Sequence, residues 1–200
     1  MLAYVKGSLE MKFDNYVVID VGGLGYKVFM SEKAIEEVGS IGDIVKVHTH
    51  YHVREDDISI YGFLSNEELK MFELLLGVSG IGAKSAITML SNITPSSFAL
   101  AVITNDTSKL VKIPGVGAKS AARIILELKD KIKTIEAKED KRDTTVEEAI
   151  IDDDKAQEAI SALQVLGYNK KEIEKVFEKM DTGNLSLEDM IRKGLSILAK

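Results

Sequence analysis

The chain has 200 residues, a hydrophobic content of 45%, and 26 basic against 32 acidic side chains for a formal charge of −6, a length that supports one or two small domains. It contains no cysteine, which excludes disulfides, thiolate zinc sites and cysteine nucleophiles. Neither a signal-peptide pattern nor an apolar run long enough to cross a membrane is present, so the expectation is a soluble, cytoplasmic protein with no membrane partner.

Residues 1–64 alternate apolar and polar side chains in the manner of half-buried strands. The segments are Tyr4-Val5-Lys6-Gly7, Tyr16 to Val21, Tyr26 to Met30, Ile44 to Tyr51 and Ile58 to Phe63. Glycine turns at Gly22-Gly23 and a short helical piece at 32–38 complete a pattern that predicts a compact OB-fold β-barrel. Arg54-Glu55-Asp56-Asp57 falls between two strand patterns and is predicted to project from a β-hairpin turn. His48, His50 and His52 share one face of a strand. Neighbours on that face are roughly 6 to 7 Å apart, too far for all three to reach one ion easily. The expectation is a surface or DNA-facing row, with no metal and no cofactor.

The next segment, 65–138, writes one phrase twice. Val78-Ser79-Gly80-Ile81-Gly82-Ala83-Lys84-Ser85-Ala86 returns 35 residues later as Ile113-Pro114-Gly115-Val116-Gly117-Ala118-Lys119-Ser120-Ala121, with six of nine positions identical. A phosphate-binding P-loop needs Lys directly after its second glycine, and an alanine intervenes in both copies. A dinucleotide fingerprint fails as well, because Ser85 and Ser120 stand at the third glycine and no buried strand precedes either turn. Apolar residues recur at helical spacing before and after each turn, so each unit reads helix, tight Gly-x-Gly turn, helix.

That arrangement resembles the helix-hairpin-helix motif, a DNA-binding element without sequence preference, and the pair looks like a tandem that spans a minor groove. The resemblance implies phosphate contacts at Gly80, Ile81, Gly82, Lys84 and Ser85, at Gly115, Val116, Gly117, Lys119 and Ser120, and at Arg123. Helix N-termini with outward amides and a following lysine suit that chemistry. Thr94-Pro95 reads as an N-cap and a first-turn proline, so another helix joins the repeats. Charge is distributed accordingly: residues 1–64 carry −4, residues 65–138 carry +3 and residues 139–200 carry −5. The basic third is the one with the hairpins.

From Thr134 to Asp154 the chain is rich in Glu, Asp, Lys and Thr without a steady apolar period, and 139–154 is expected to be a flexible acidic linker. Residues 155–200 regain helical periodicity in three stretches, with Gly167 at a left-handed C-cap and capped starts at Asn169 and Ser186. Such a three-helix UBA-like module suits docking better than catalysis. Asp181-Thr182-Gly183-Asn184 lacks the spacing of an EF-hand loop.

The full order is α+β and multidomain: OB-fold β-barrel, all-α tandem helix-hairpin-helix domain, C-terminal three-helix module. In this order the chain closely resembles the RuvA family, the Holliday-junction-binding subunits of the RuvA–RuvB branch-migration complex. Val5-Lys6-Gly7, Gly22-Gly23-Leu24-Gly25-Tyr26, Thr49-His50, Val53-Arg54-Glu55-Asp56, Tyr61-Gly62-Phe63, both hairpins, and Ala162-Leu163 through Leu166-Gly167-Tyr168 carry the likeness. It implies a homotetramer, one or two per four-way junction, with Glu55 and Asp56 as an acidic pin at the crossover. Asp57 departs from the family pattern, where a small apolar residue is common. A RuvB-type hexameric AAA+ ATPase is implied as the partner of the C-terminal module, with Leu163, Leu166 and Tyr168 as either its contacts or core, and a RuvC-type junction resolvase as a further partner.

Two other functions compete. A helix-hairpin-helix glycosylase or nuclease would need a catalytic carboxylate after the hairpin, where Glu127 and Asp130 stand in a basic, surface-like context. The three-helix tail taken alone would fit an interaction adaptor. The sequence displays no nucleophile–base pair, carboxylate cluster or nucleotide fold, so it reads as a non-catalytic subunit without an ATPase site of its own.

Overall fold

The computed structural model describes residues 2–55, 57–139, 154–180, 182–183 and 185–198, with backbone alone for 130–139 and 154. Two compact units result, Met1–Leu76 with Gly82–Asn92, and Gly77–Ile81 with Ile93–Lys200.

The first unit is built on five strands, β1 (Tyr4–Lys12), β2 (Tyr16–Val21), β3 (Leu24–Phe29), β4 (Ile44–Val53) and β5 (Ile58–Phe63), closed into a barrel in the order β1-β2-β3-β5-β4. The alternation of the sequence becomes an inside and an outside: Val5, Leu9, Val17, Ile19, Val28, Val45 and Val47 fill the core. Gly22 and Gly23, at φ 65° and 92°, make the two-residue turn joining β2 to β3, a conformation that glycine adopts without a Cβ penalty. At Gly7 a Cβ would lie 1.9 Å from the Asp20 carbonyl oxygen, so glycine alone permits that approach of β1 to β2. A parallel seam of two residue pairs, Val28 with Ile60 and Phe29 with Tyr61, closes the ring. Helix α1 (Glu32–Glu37), capped by Ser31, lays Ala34 and Ile35 against the core.

Helices α2 (Asn66–Leu76) and α3 (Ala83–Asn92) belong to this same unit. The compact units therefore divide the chain differently from the motif-based division after residue 64. The cause is packing: α2 lies on β4 and β5, where Phe72 meets His50, Tyr61 and Phe63 at ring separations of 5.4, 5.2 and 4.9 Å.

The second unit holds α4 (Pro95–Ile103), α5 (Thr107–Val111), α6 (Ala118–Glu139), α7 (Asp154–Val165), α8 (Lys170–Phe177) and α9 (Leu187–Leu198). Thr94 caps α4 as expected, its hydroxyl accepting from the Ser97 N–H. Helix α6 continues past Thr134 to Glu139, further than the loss of apolar period suggested, because Lys, Glu and Ala are strong helix formers. Gly167 takes φ 80° and ends α7 in a Schellman motif, Gly167 N–H to Gln164 O and Tyr168 N–H to Leu163 O. Asn169 and Ser186 cap α8 and α9.

Leu163 and Leu166 are 0% exposed and Tyr168 7%. All three are core residues here, the second of the two roles that the sequence leaves open for them. Gly194 on α9 makes room for Leu163, since a Cβ there would lie 2.8 Å from Leu163 Cδ1. Nor does the tail stand apart: α7 and α9 pack on α4, and Ser97 Oγ donates to Glu188 Oε1 at 2.6 Å. Helix α4 invites this because Phe98, Ala99, Leu100, Ala101, Val102 and Ile103 leave it few polar sides.

Candidate nucleic-acid interface

Both Gly-x-Gly sequences build the same turn. In the first, the Ile81 N–H donates to the Val78 carbonyl at 3.1 Å with Gly80 at φ 83°. In the second, the Val116 N–H donates to the Ile113 carbonyl at 3.0 Å with Gly115 at φ 81°. Positive φ at the third position marks a type II turn, and Pro114 occupies the second, where its fixed φ belongs. The second glycine of each turn opens the helix: Ala86 N–H bonds Gly82 O and Ala121 N–H bonds Gly117 O, both at 2.9 Å. The amides of residues 83–85 and 118–120 therefore precede the first intrahelical bond and end the helices with outward donors.

Side chains divide into two sets around this backbone. Lys84, Ser85 and Lys119 are exposed and Ser120 is half-buried, each within the first helical turn. Ile81 is half-buried and Val116 buried, at 7% exposure. Their amides are consumed by the turns, so these two residues anchor the hairpins instead of offering anion donors. Arg123 is likewise engaged: its Nη1 donates to the Ser79 carbonyl at 3.4 Å. Glu127, a turn further along α6, accepts from the Ser79 N–H at 3.1 Å. Glu127 is thus occupied by a structural bond to a residue 48 positions away in the chain.

At the tip of β4–β5, Arg54 N–H bonds the Asp57 carbonyl at 2.8 Å and closes the turn, leaving Glu55 exposed. Asp56 lies outside the described residues. Asp57 is directed back along β5, its Oδ2 accepting from Ser59 Oγ at 2.5 Å. This carboxylate also lines a cavity of about 260 Å³ with His52, Arg54, Tyr61 and Lys84.

The histidines do not form one equivalent row. His50 Nδ1 lies 3.1 Å from Glu73 Oε1 on α2, while His52 Nε2 accepts from Arg54 Nε at 3.1 Å. Burial, with Lys46 beside His48 and Arg54 beside His52, lowers both of their pKa values and favours neutral rings. Burial raises the Tyr61 pKa, with Asp57 adding to it. Among the described residues no three His, Cys, Asp or Glu side chains converge as a metal requires, and no single helix is long and apolar enough to cross a membrane.

Comparison with known proteins matches all three segments. Residues 1–62 match the RuvA N terminal domain, 72–130 the SAM-like helix-hairpin-helix tandem, and 154–199 the RuvA C-terminal domain. A protein of Acetivibrio thermocellus named Holliday junction branch migration complex subunit RuvA is 45% identical, over 100% of both chains. Proteins with the same name from Ruminiclostridium cellulolyticum and Clostridium botulinum are 43% and 41% identical over 99% and 100% of this chain and 100% of their own.

Proposed function

Because the chain belongs to the RuvA family, we propose that it binds four-way (Holliday) junction DNA as the non-catalytic subunit of a branch-migration complex in homologous recombination and DNA repair. One observation carries the reading: two type II turns of matching φ, each followed by a helix start with an exposed lysine. Backbone amides and Lys84 or Lys119 would take phosphates of the two strands of an arm, giving affinity and register without reading bases. The division of labour assigns the barrel to 1–64, the DNA grips to 65–138, a linker to 139–154 and partner docking to 155–200.

At the crossover, Glu55 and Asp56 would repel phosphates and favour strands turning into new arms over a duplex running through the centre. Asp57, tied to Ser59, stands aside from that pin. Assembly as a homotetramer, one or two per junction, would bring four such tips together; Val53 and Ile58, paired across β4–β5 and exposed at 58% and 63%, supply apolar surface for it. The motor is a RuvB-type hexameric AAA+ ATPase, met by the outer side of the tail, where Ile197 is 43% exposed. A RuvC-type resolvase would share the junction, and the setting is cytoplasmic.

A competition titration tests this. The protein is titrated against a labelled four-way junction with linear duplex of equal length as competitor, at moderate salt. Strong junction preference without strand cleavage or base removal is expected; equal affinity, or any cleavage, overturns the proposal.

A further inference from the structure

The outer face of the barrel carries a row of rings that the hairpin grips do not use. Tyr16 on β2 is the cross-strand partner of Phe29 on β3, and Phe29 that of Tyr61 on β5. Ring centroids follow at 6.0 and 5.7 Å. Phe13, in the β1–β2 loop, extends the row by stacking on Tyr16 at 4.3 Å and 19°. Lys27 Nζ stands over Tyr16 at 4.3 Å and Phe29 at 4.8 Å. These are not core residues: Phe13 is 43% exposed, Lys27 exposed, and Tyr16, Phe29 and Tyr61 half-buried.

Position gives the row meaning. Small five-stranded barrels bind oligonucleotides across strands 2 and 3 and the loops joining strands 1–2 and 4–5. Here strands 2 and 3 carry Tyr16, Lys27 and Phe29, the 1–2 loop carries Phe13, and the 4–5 loop is Arg54 to Asp57. Tyr61 continues the row into the cavity lined by Arg54 and Lys84, so the rings lead to the lysine of the first hairpin within one compact unit. Aromatic faces with an adjacent cation take the bases and phosphates of single strands, tolerant of sequence because every base has a π-face.

We propose that Phe13, Tyr16, Lys27 and Phe29 form a binding track for single-stranded DNA on the barrel, separate from the duplex grips of the hairpins. A strand between its old and new partners at a crossover is the species such a track would hold. The inference extends the DNA-binding reading to a second strand geometry.

The test uses the full chain and a labelled oligothymidylate of about 16 nucleotides, the upper site size of a barrel of this type. Wild type should bind it, with quenching of tyrosine emission, which is readable because the chain has six Tyr and no Trp. F13A/K27A, confined to exposed side chains, and F13A/Y16A/K27A should lose about tenfold or more in oligothymidylate affinity, with linear-duplex affinity unchanged in both and the thermal midpoint nearly constant in F13A/K27A. Duplex binding by wild type without oligothymidylate binding overturns the inference and leaves the proposed function standing. So does an F13A/K27A variant that keeps its oligothymidylate affinity, or one that loses duplex and oligothymidylate binding equally. A changed sedimentation coefficient for F13A/K27A would mean that a second copy covers this face, and also overturns it. Wild type that binds neither duplex nor junction would instead refute the proposed function.

Discussion

Glu127 accepts a hydrogen bond at 3.1 Å from the backbone N–H of Ser79, 48 positions earlier, and Arg123 donates to the carbonyl of the same residue at 3.4 Å. The first hairpin turn is therefore held at both polar groups of one residue by the helix that the second hairpin opens. Glu127→Ala should cost about 1 kcal/mol of stability, as for a bond to a charged group near the surface, read by urea denaturation. It should also weaken duplex binding. Simple electrostatics gives the opposite sign, since deleting a carboxylate favours DNA, so an affinity that rises would mean that the bond has no positioning role.

The glycines of each turn should separate by function. Gly80 and Gly115 have positive φ, whereas Gly82 and Gly117 do not and a Cβ at either meets nothing within 4 Å. Gly80→Ala or Gly115→Ala should lower stability by about 1 to 2 kcal/mol. Gly82→Ala and Gly117→Ala should leave thermal unfolding unchanged while weakening duplex binding, because the methyl stands where a phosphate would approach the amides.

Lys84→Ala and Lys119→Ala should weaken binding to every DNA shape. If each removes one phosphate contact, the slope of log affinity against log salt falls in magnitude by about 0.9 per lysine. Titration at four or more salt concentrations measures it, and an unchanged slope would remove these lysines from the interface.

Neutralising the tip with Glu55→Gln and Asp56→Asn should relax the preference for junction over duplex and leave duplex affinity nearly constant. Asp57→Asn should leave the preference intact, since Asp57 is bonded to Ser59. Equal effects of all three would place Asp57 in the pin.

Stability should depend on pH through Glu68. Its carboxylate accepts from the Leu64 N–H at 3.0 Å, and its own N–H donates to Ser65 Oγ at 3.2 Å, a capping exchange at the start of α2. Burial raises its pKa above the ordinary 4.5, so ionisation is easier in the unfolded chain. The group's contribution is thus full below the unfolded value and is lost as pH rises through it toward the folded value. Glu68→Gln, which keeps an acceptor, should flatten that part of the stability–pH curve. A curve identical to wild type in denaturation midpoints measured across it would contradict the assignment.

The strands were legible because period-two alternation survives in a barrel with one buried face, as at Tyr16 to Val21. The turns were legible because Gly80, Gly115 and Gly167 stand where only positive φ serves. Long-range partners were not. Nothing local to Ser79 announces Glu127, 48 positions away, since that bond exists only once the chain has folded. The placement of α7 and α9 on α4 escaped for the same reason: apolar faces at helical spacing say that a helix is covered, not by what. Leu163, Leu166 and Tyr168 show that ambiguity resolved toward the core.

The two-pair seam between β3 and β5 has a further effect. By closing the sheet it leaves no strand of the barrel with an edge open along its whole length, and an open edge is what another chain needs in order to add a strand. In the proposed assembly, copies would meet through side chains such as Val53 and Ile58, so their contacts could form and dissolve without unzipping any ladder of backbone bonds. Reversible assembly and a rigid protomer are thereby compatible in the same fold.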